Sequence, residues 1–155
     1  MSDALAQACG EEAERLFRQG CTCAQAVLAA CAPKCADIDV ETALRLASAL
    51  GAGVAGLRET CGAVLSMTAV LGLRHGPATP MDDAEKAALY AEAQAAVADF
   101  DAAFGNHACQ ALLAQAGIEK QPGDRPEPRT QEYYDRRPCT AFVRFCAARA
   151  MRQTP

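Results

Sequence analysis

Tryptophan is absent from this chain of 155 residues, aromatic residues make up only 5% of it, and no segment sustains a period-two alternation of β-branched and aromatic side chains. A core built without large rings must close on small side chains, which suits packed helices far better than a β-sandwich. The expectation is an all-α fold. Also missing is any basic stretch interleaved with aromatics, and the net charge is -4, so the electrostatic footprint of a nucleic-acid surface is lacking. No nucleic-acid partner is expected. The N-terminal M-S-D-A-L-A-Q-A-C-G-E-E has acids where a signal peptide needs a basic segment and an apolar core. The uncharged apolar stretch at residues 60–73 falls short of the ~18 residues that suggest a membrane span. These two absences point to a cytoplasmic protein without a membrane anchor.

Familiar catalytic patterns are lacking too. There is no G-x-S-x-G, H-E-x-x-H or P-loop, and the acids are scattered over exposed faces, so hydrolase chemistry has no support. Nor is there a C-x-x-C, a paired C-x-x-C or a C-x-x-C-H, so a metal site would have to be assembled by the fold.

What the chain does have is 51% apolar residues, dominated by Ala, enough to bury one core and too little for a second domain of ordinary size. We read a single helical domain over residues 1–155, with six to seven helices, a buried central helix and a polar surface loop at 117–138. It also has nine cysteines, an odd number that cannot all pair within one chain. In a reducing cytosol some are packing residues and others are candidates for chemistry.

Helix signals follow one another along the chain. The first helix spans residues 3–19, with Leu5, Cys9, Ala13, Leu16 and Phe17 on one face and Gly20 as its stop. The second opens with the capping box Thr22-Cys23-Ala24-Gln25 and is expected to stop at Pro33. A third begins near Asp39, with Val40, Ala43, Ala47 and Leu50 on a stripe. Residues 61–74 form a fourth, apolar nearly all round and so expected at the buried centre. Thr79-Pro80-Met81-Asp82 reads as cap, Pro and acid of a long helix ending at Gly105, whose inner face is Leu89, Ala93, Ala96, Phe100 and Ala103. Asn106 is expected to cap a short helix closed by Gly117. A turn of helix is expected around residues 131–135, and a last helix carries Cys139, Phe142, Val143, Cys146 and Ala150.

Gly51, Gly53 and Gly56 spell G-x-G-x-x-G, but a dinucleotide fingerprint needs a strand before its first Gly, and here a helix precedes it. These glycines are read instead as the end of one helix and a close turn, after which Thr60 caps the next.

The cysteines sort by position. Cys23, Cys61, Cys109 and Cys139 all fall at expected helix starts, where free amides and the positive end of the macrodipole favour a thiolate. A sulfur used only for packing gains nothing there, although an Ala-rich core accepts Cys as a small hydrophobe anywhere. Cys9 and Cys146 read as packing residues. Cys31 and Cys35 straddle Pro33, and Cys21 is close enough to Cys23 to act as a resolving thiol. His75 reads as a helix-end cap, and His107, two residues before Cys109, is kept as a weak ligand candidate.

F-R-Q-G-C-T-C-A-Q-A-V-L (17–28), E-T-C-G-A-V-L-S (59–66), L-G-L-R-H-G (71–76), F-G-N-H-A-C-Q-A-L-L (104–113) and C-T-A-F-V (139–143) resemble the C_GCAxxG_C_C family of redox-active bacterial proteins, in order and over most of the chain. Carried over by motif, the family's four cysteines fall on Cys23, Cys61, Cys109 and Cys139. The resemblance implies a small redox-related protein, and a similar cysteine-bearing domain in the split-Soret cytochromes holds an iron–sulfur centre. Ser66 stands where the motif's second Gly is expected, which bears on local packing.

The leading expectation is therefore that Cys23, Cys61, Cys109 and Cys139 ligate an iron–sulfur cluster used in electron transfer with a redox partner protein. Four helix starts aimed at one point would offset the charge of thiolates and cluster. One alternative is a metal-free thiol–disulfide oxidoreductase cycling Cys23 with Cys61, and another is a structural Cys₄ zinc site in an interaction module. The apolar fraction and the Ala-rich long helix suggest a homodimer.

Overall fold

In the computed structural model, which describes residues 2–153, each apolar stripe at helical spacing has become a helix, and no strand forms among the described residues. The helices are α1 (Asp3–Arg18), α2 (Cys23–Cys35), α3 (Val40–Ala47), α4 (Gly62–His75), α5 (Asp83–Phe104), α6 (Cys109–Gln115), α7 (Gln131–Arg136) and α8 (Cys139–Met151). The eighth element beyond the expected seven is α7, the turn near residue 131, capped by the Thr130 hydroxyl accepting from the Tyr133 amide.

The centre belongs to α2 rather than to α4. Ala24, Ala26, Val27, Leu28, Ala29, Ala30, Cys31 and Ala32 are all buried, and α1, α3, α4 and α8 pack around them. Small side chains at nearly every position let helices approach α2 from all sides, whereas the leucines of α4 leave Leu73 36% exposed. α4 and α8 complete the core with Met67, Val70, Leu71, Val143 and Met151. Outside it lies α5, whose expected inner face is narrower than its pattern: Ala96 and Phe100 are buried, while Ala103 faces out. It is held to α8 by Phe100 and Phe104 against Phe142 and Phe145, with ring centroids 4.8–5.8 Å apart. Val40, expected on the inner stripe of α3, is 47% exposed.

Two helix boundaries depart from expectation. α2 continues through Pro33 to Cys35, because a Pro in the last turn removes only one ladder bond, and the Ala36 amide still closes on the Ala32 carbonyl at 2.9 Å. α5 starts at Asp83 and not beside Thr79. Asp82 and Glu85 form a capping box that satisfies two free amides reciprocally, which a Thr79 cap could not match.

Candidate functional site

The site is built around a backbone anomaly between α3 and α4. Ala52, Gly53, Val54, Ala55 and Gly56 have φ between 50° and 77°, and Arg58 has φ 61°, so the chain runs left-handed for five consecutive residues. For L-residues this conformation costs about 1–2 kcal/mol each. Amide bonds that reach six residues back offset it: Ala55 to the Ala49 carbonyl (2.8 Å), Arg58 to Ala52 (3.1 Å) and Glu59 to Gly53 (2.9 Å). At Gly53 only glycine fits, since a Cβ would lie 2.6 Å from the Glu59 nitrogen. The G-x-G-x-x-G stretch is thus a tight turn, as its position after a helix predicts.

Beyond the turn, Thr60 does not cap α4 but forms an antiparallel bridge with Ala108. The Cys61 amide donates to the His107 carbonyl (2.8 Å), Cys109 to Glu59 (2.6 Å) and Gln110 to Arg58 (3.2 Å). Pairing with the 107–110 segment satisfies the backbone there, which leaves Cys61 itself as the N-cap residue of α4. Likewise α6 has no side-chain cap: the Asn106 side chain accepts from the amide of Ala108, the residue just before the helix, and from none within it.

Cys23 is the first residue of α2, behind a complete Thr22–Gln25 capping box. Gly62 brings α4 onto this corner, for a Cβ there would lie 2.7 Å from both Cys23 Sγ and the Leu50 carbonyl oxygen. Ser66, in the place of the motif Gly, is fully buried and its hydroxyl donates to the Ala24 carbonyl at 2.8 Å. The helices stay close because the added oxygen has found a partner. Cys109 and Cys139 are the first residues of α6 and α8.

These four sulfur-bearing residues, contributed by four helix starts, line one cavity of about 470 Å³. Phe17, Leu112, Leu113 and Phe142 supply much of its apolar wall, and Arg58, Arg125, Arg129 and Arg137 its positive charge. The thiols stand around the wall: among the described residues no three Cys, His, Asp or Glu side chains are drawn together as a ready metal cluster. The other five cysteines are elsewhere. Cys9, Cys31 and Cys146 are fully buried in the core, and neither Cys21 nor Cys35 lines the cavity. His107 turns its ring to the Asp101 carboxylate (2.9 Å) and contributes only its carbonyl to the Cys61 segment. His75 faces Glu92 of α5 at 3.4 Å.

Helix starts were expected to lower the thiol pKa values, and for three of the four the opposite holds. Burial, then the neighbouring Cys23 sulfur, pushes Cys61 well above an ordinary thiol. Burial and Cys23 push Cys139 up to about 12, against the pull of Arg137. Burial also raises Cys109, opposed by Arg58. Desolvation can move a pKa by several units, whereas a macrodipole contributes on the order of 1 kcal/mol, less than one unit. Without an added positive centre these thiols keep their protons at neutral pH.

The cations of the wall are the residues that sequence reasoning missed. Arg137 is 9% exposed, pairs with Glu127 at 2.6 Å and lies 4.5 Å from the Tyr133 ring; Glu127 also takes Lys120 at 3.1 Å. Arg129 lies over the rings of Phe17 and Tyr133. Arg58 is 7% exposed and reaches Cys109 Sγ with Nη1 at 3.8 Å. The 117–138 segment is largely exposed, as its composition predicts, yet it also walls the cavity and is tied to the left-handed turn by the Gly123 amide on the Gly56 carbonyl (3.0 Å).

Fold and site together define a helical protein whose thiols gather from distant helix starts around a cation-lined cavity. Residues 21–153 match the family described as "Putative redox-active protein (C_GCAxxG_C_C)", and the chain belongs to that family. α1 precedes the matched span, although it packs against α2 and α8. Comparison with curated proteins and with solved structures gave no match. Among the described residues, no helix is long and apolar enough to cross a membrane.

Proposed function

We propose that the protein is a cytoplasmic electron carrier in which Cys23, Cys61, Cys109 and Cys139 hold an iron–sulfur cluster. The observation that carries this reading is that four cysteines separated by up to 116 positions, and only those four of the nine, line a single cavity. The donor set fits the group in kind: thiolates are the ligands iron–sulfur clusters take, and the positive excess of the wall would offset the negative charge of such a centre. When bound, the cluster supplies one-electron transfer. The chain's own part is to present the thiols, to give up their protons as the metal binds, and to shield the centre from water with Phe17, Leu112 and Phe142.

The test is anaerobic purification followed by a visible absorption spectrum and assays of iron, sulfide and zinc on the same sample. A brown protein with iron and sulfide is the expected result, and Ser at any of the four positions is expected to abolish it. Zinc without iron would replace the cluster by a structural site. A protein that stays metal-free through anaerobic reconstitution would instead leave Cys23 and Cys61 as a candidate dithiol pair.

A further inference from the structure

Of the four arginines on the cavity wall, Arg137 is neutralised by Glu127 and Arg129 is spread over aromatic rings. Arg58 has neither arrangement. It is nine-tenths buried, no carboxylate pairs with it among the described residues, and its buried Nε has no hydrogen-bond partner. Its contact with Cys109 uses Nη1, at one end of the guanidinium. A buried guanidinium with no carboxylate beside it is unfavourable unless an anion supplies the counter-charge.

The space beside it suits such an anion. At about 470 Å³ the cavity lies within the range of small-molecule sites, mostly apolar with a few convergent polar groups. Its charged lining is four arginines against Asp124 and Glu127, a positive excess in a protein of net charge -4. We propose that this cavity binds a small organic anion, with a carboxylate or phosphate head beside the Arg58 guanidinium and an apolar body against Phe142, Leu112 and Leu113. The site goes beyond the electron-transfer reading and does not depend on it, because Arg58 and the apolar wall are present in the metal-free chain.

The experiment uses the full-length, reduced, metal-free protein labelled with ¹⁵N, in which the arginine Nε–Hε signals are followed at constant ionic strength. Three probes are titrated into the millimolar range: inorganic phosphate, phenyl phosphate and phenylacetate. The expected result is a saturable shift of the Arg58 Nε–Hε signal with at least one of the two aromatic probes. That probe should bind about tenfold tighter than inorganic phosphate, the return for burying a ring. The tighter of the two identifies the head group. Arg58→Gln should weaken binding by roughly tenfold or more through loss of the counter-charge, while Arg144→Gln, on α8 beside Glu11 and Glu14, leaves it unchanged. No saturable shift with any probe would overturn the proposal, as would equal affinity in Arg58→Gln. Should Arg58→Gln fail to fold, the wild-type Arg58 signal alone decides. Because iron plays no part in the measurement, a protein that stays metal-free through reconstitution yet binds a probe overturns only the cluster, and one that takes up iron and sulfide but whose metal-free form ignores every probe overturns only the anion site.

Discussion

Cys31 and Cys61 are both buried, at 0% and 5% exposure, and both thiols are held far from ionising, yet they occupy opposite kinds of place. Cys31 sits in the middle of α2, where its S–H donates to the Ala147 carbonyl at 3.6 Å and its neighbour is the equally buried Cys9. Cys61 sits at the mouth of α4, against a cavity, with arginines on the same wall. Burial therefore does not separate a packing cysteine from a chemical one. What separates them is whether the sulfur faces the side of a neighbouring helix or a space where several chain segments begin.

Three perturbations probe that contrast, in decreasing order of effect. Gly62→Val should be the most damaging, because its side chain meets Cys23 Sγ and the Leu50 carbonyl, and overpacking of this kind costs about 1–3 kcal/mol. Urea denaturation should show the loss, and metal uptake should fall with it as Cys23 is displaced; full metal content would mean that the corner can relax. Cys9→Ser and Cys146→Ser should both leave metal content untouched, and Cys146→Ser, which puts a hydroxyl in an apolar core, should cost about 1–2 kcal/mol. Iron loss in either would erase the distinction between the two groups of cysteines.

The smallest effect concerns the wall of the cavity. Arg137, then Lys120, holds the Glu127 carboxyl down to about 2 from its ordinary 4.5. A depressed carboxylate stabilises the fold above its unfolded pKa, and that contribution fades as pH falls from 4.5 towards 2. The wild type should therefore be slightly more stable than Glu127→Gln at pH 7, by under about 1 kcal/mol because the Glu127 end of the pair is open to solvent, and equal it near pH 2. A constant difference across that range would show that Glu127 acts through packing.

The helices were legible because each is a local matter of spacing and caps: Thr22 with Gln25, Gly20 and Gly105 need nothing beyond their neighbours in sequence. Where local signals competed, the longer reach won. Thr60 has the side chain of a cap, but the bridge to Ala108 claims it, and that bridge depends on a segment 48 positions away. The four cysteines stood out for the same local reason, their helix starts. Their electrostatics did not, since a helix start is visible in sequence whereas the depth of the cavity that desolvates it is not. Least legible were the arginines. Arg58, Arg125, Arg129 and Arg137 are dispersed among acids and prolines in stretches that read as turn and loop, and no basic run announces them. Only the folding of the 117–138 segment over the left-handed turn puts them on one wall.

That left-handed turn also changes how substitutions between relatives should be weighed. At Val54, φ 65° places a β-branched residue where sterics disfavour it most, so an exchange to Gly, ordinarily scored as the loss of a side chain, relieves the backbone here. At Gly62, in an ordinary helix, the same exchange in reverse is the harmful one. Within ten positions of one chain the usual ranking of conservative and drastic changes is inverted, and a comparison of relatives that applies one scale throughout will misjudge the segment that shapes the site.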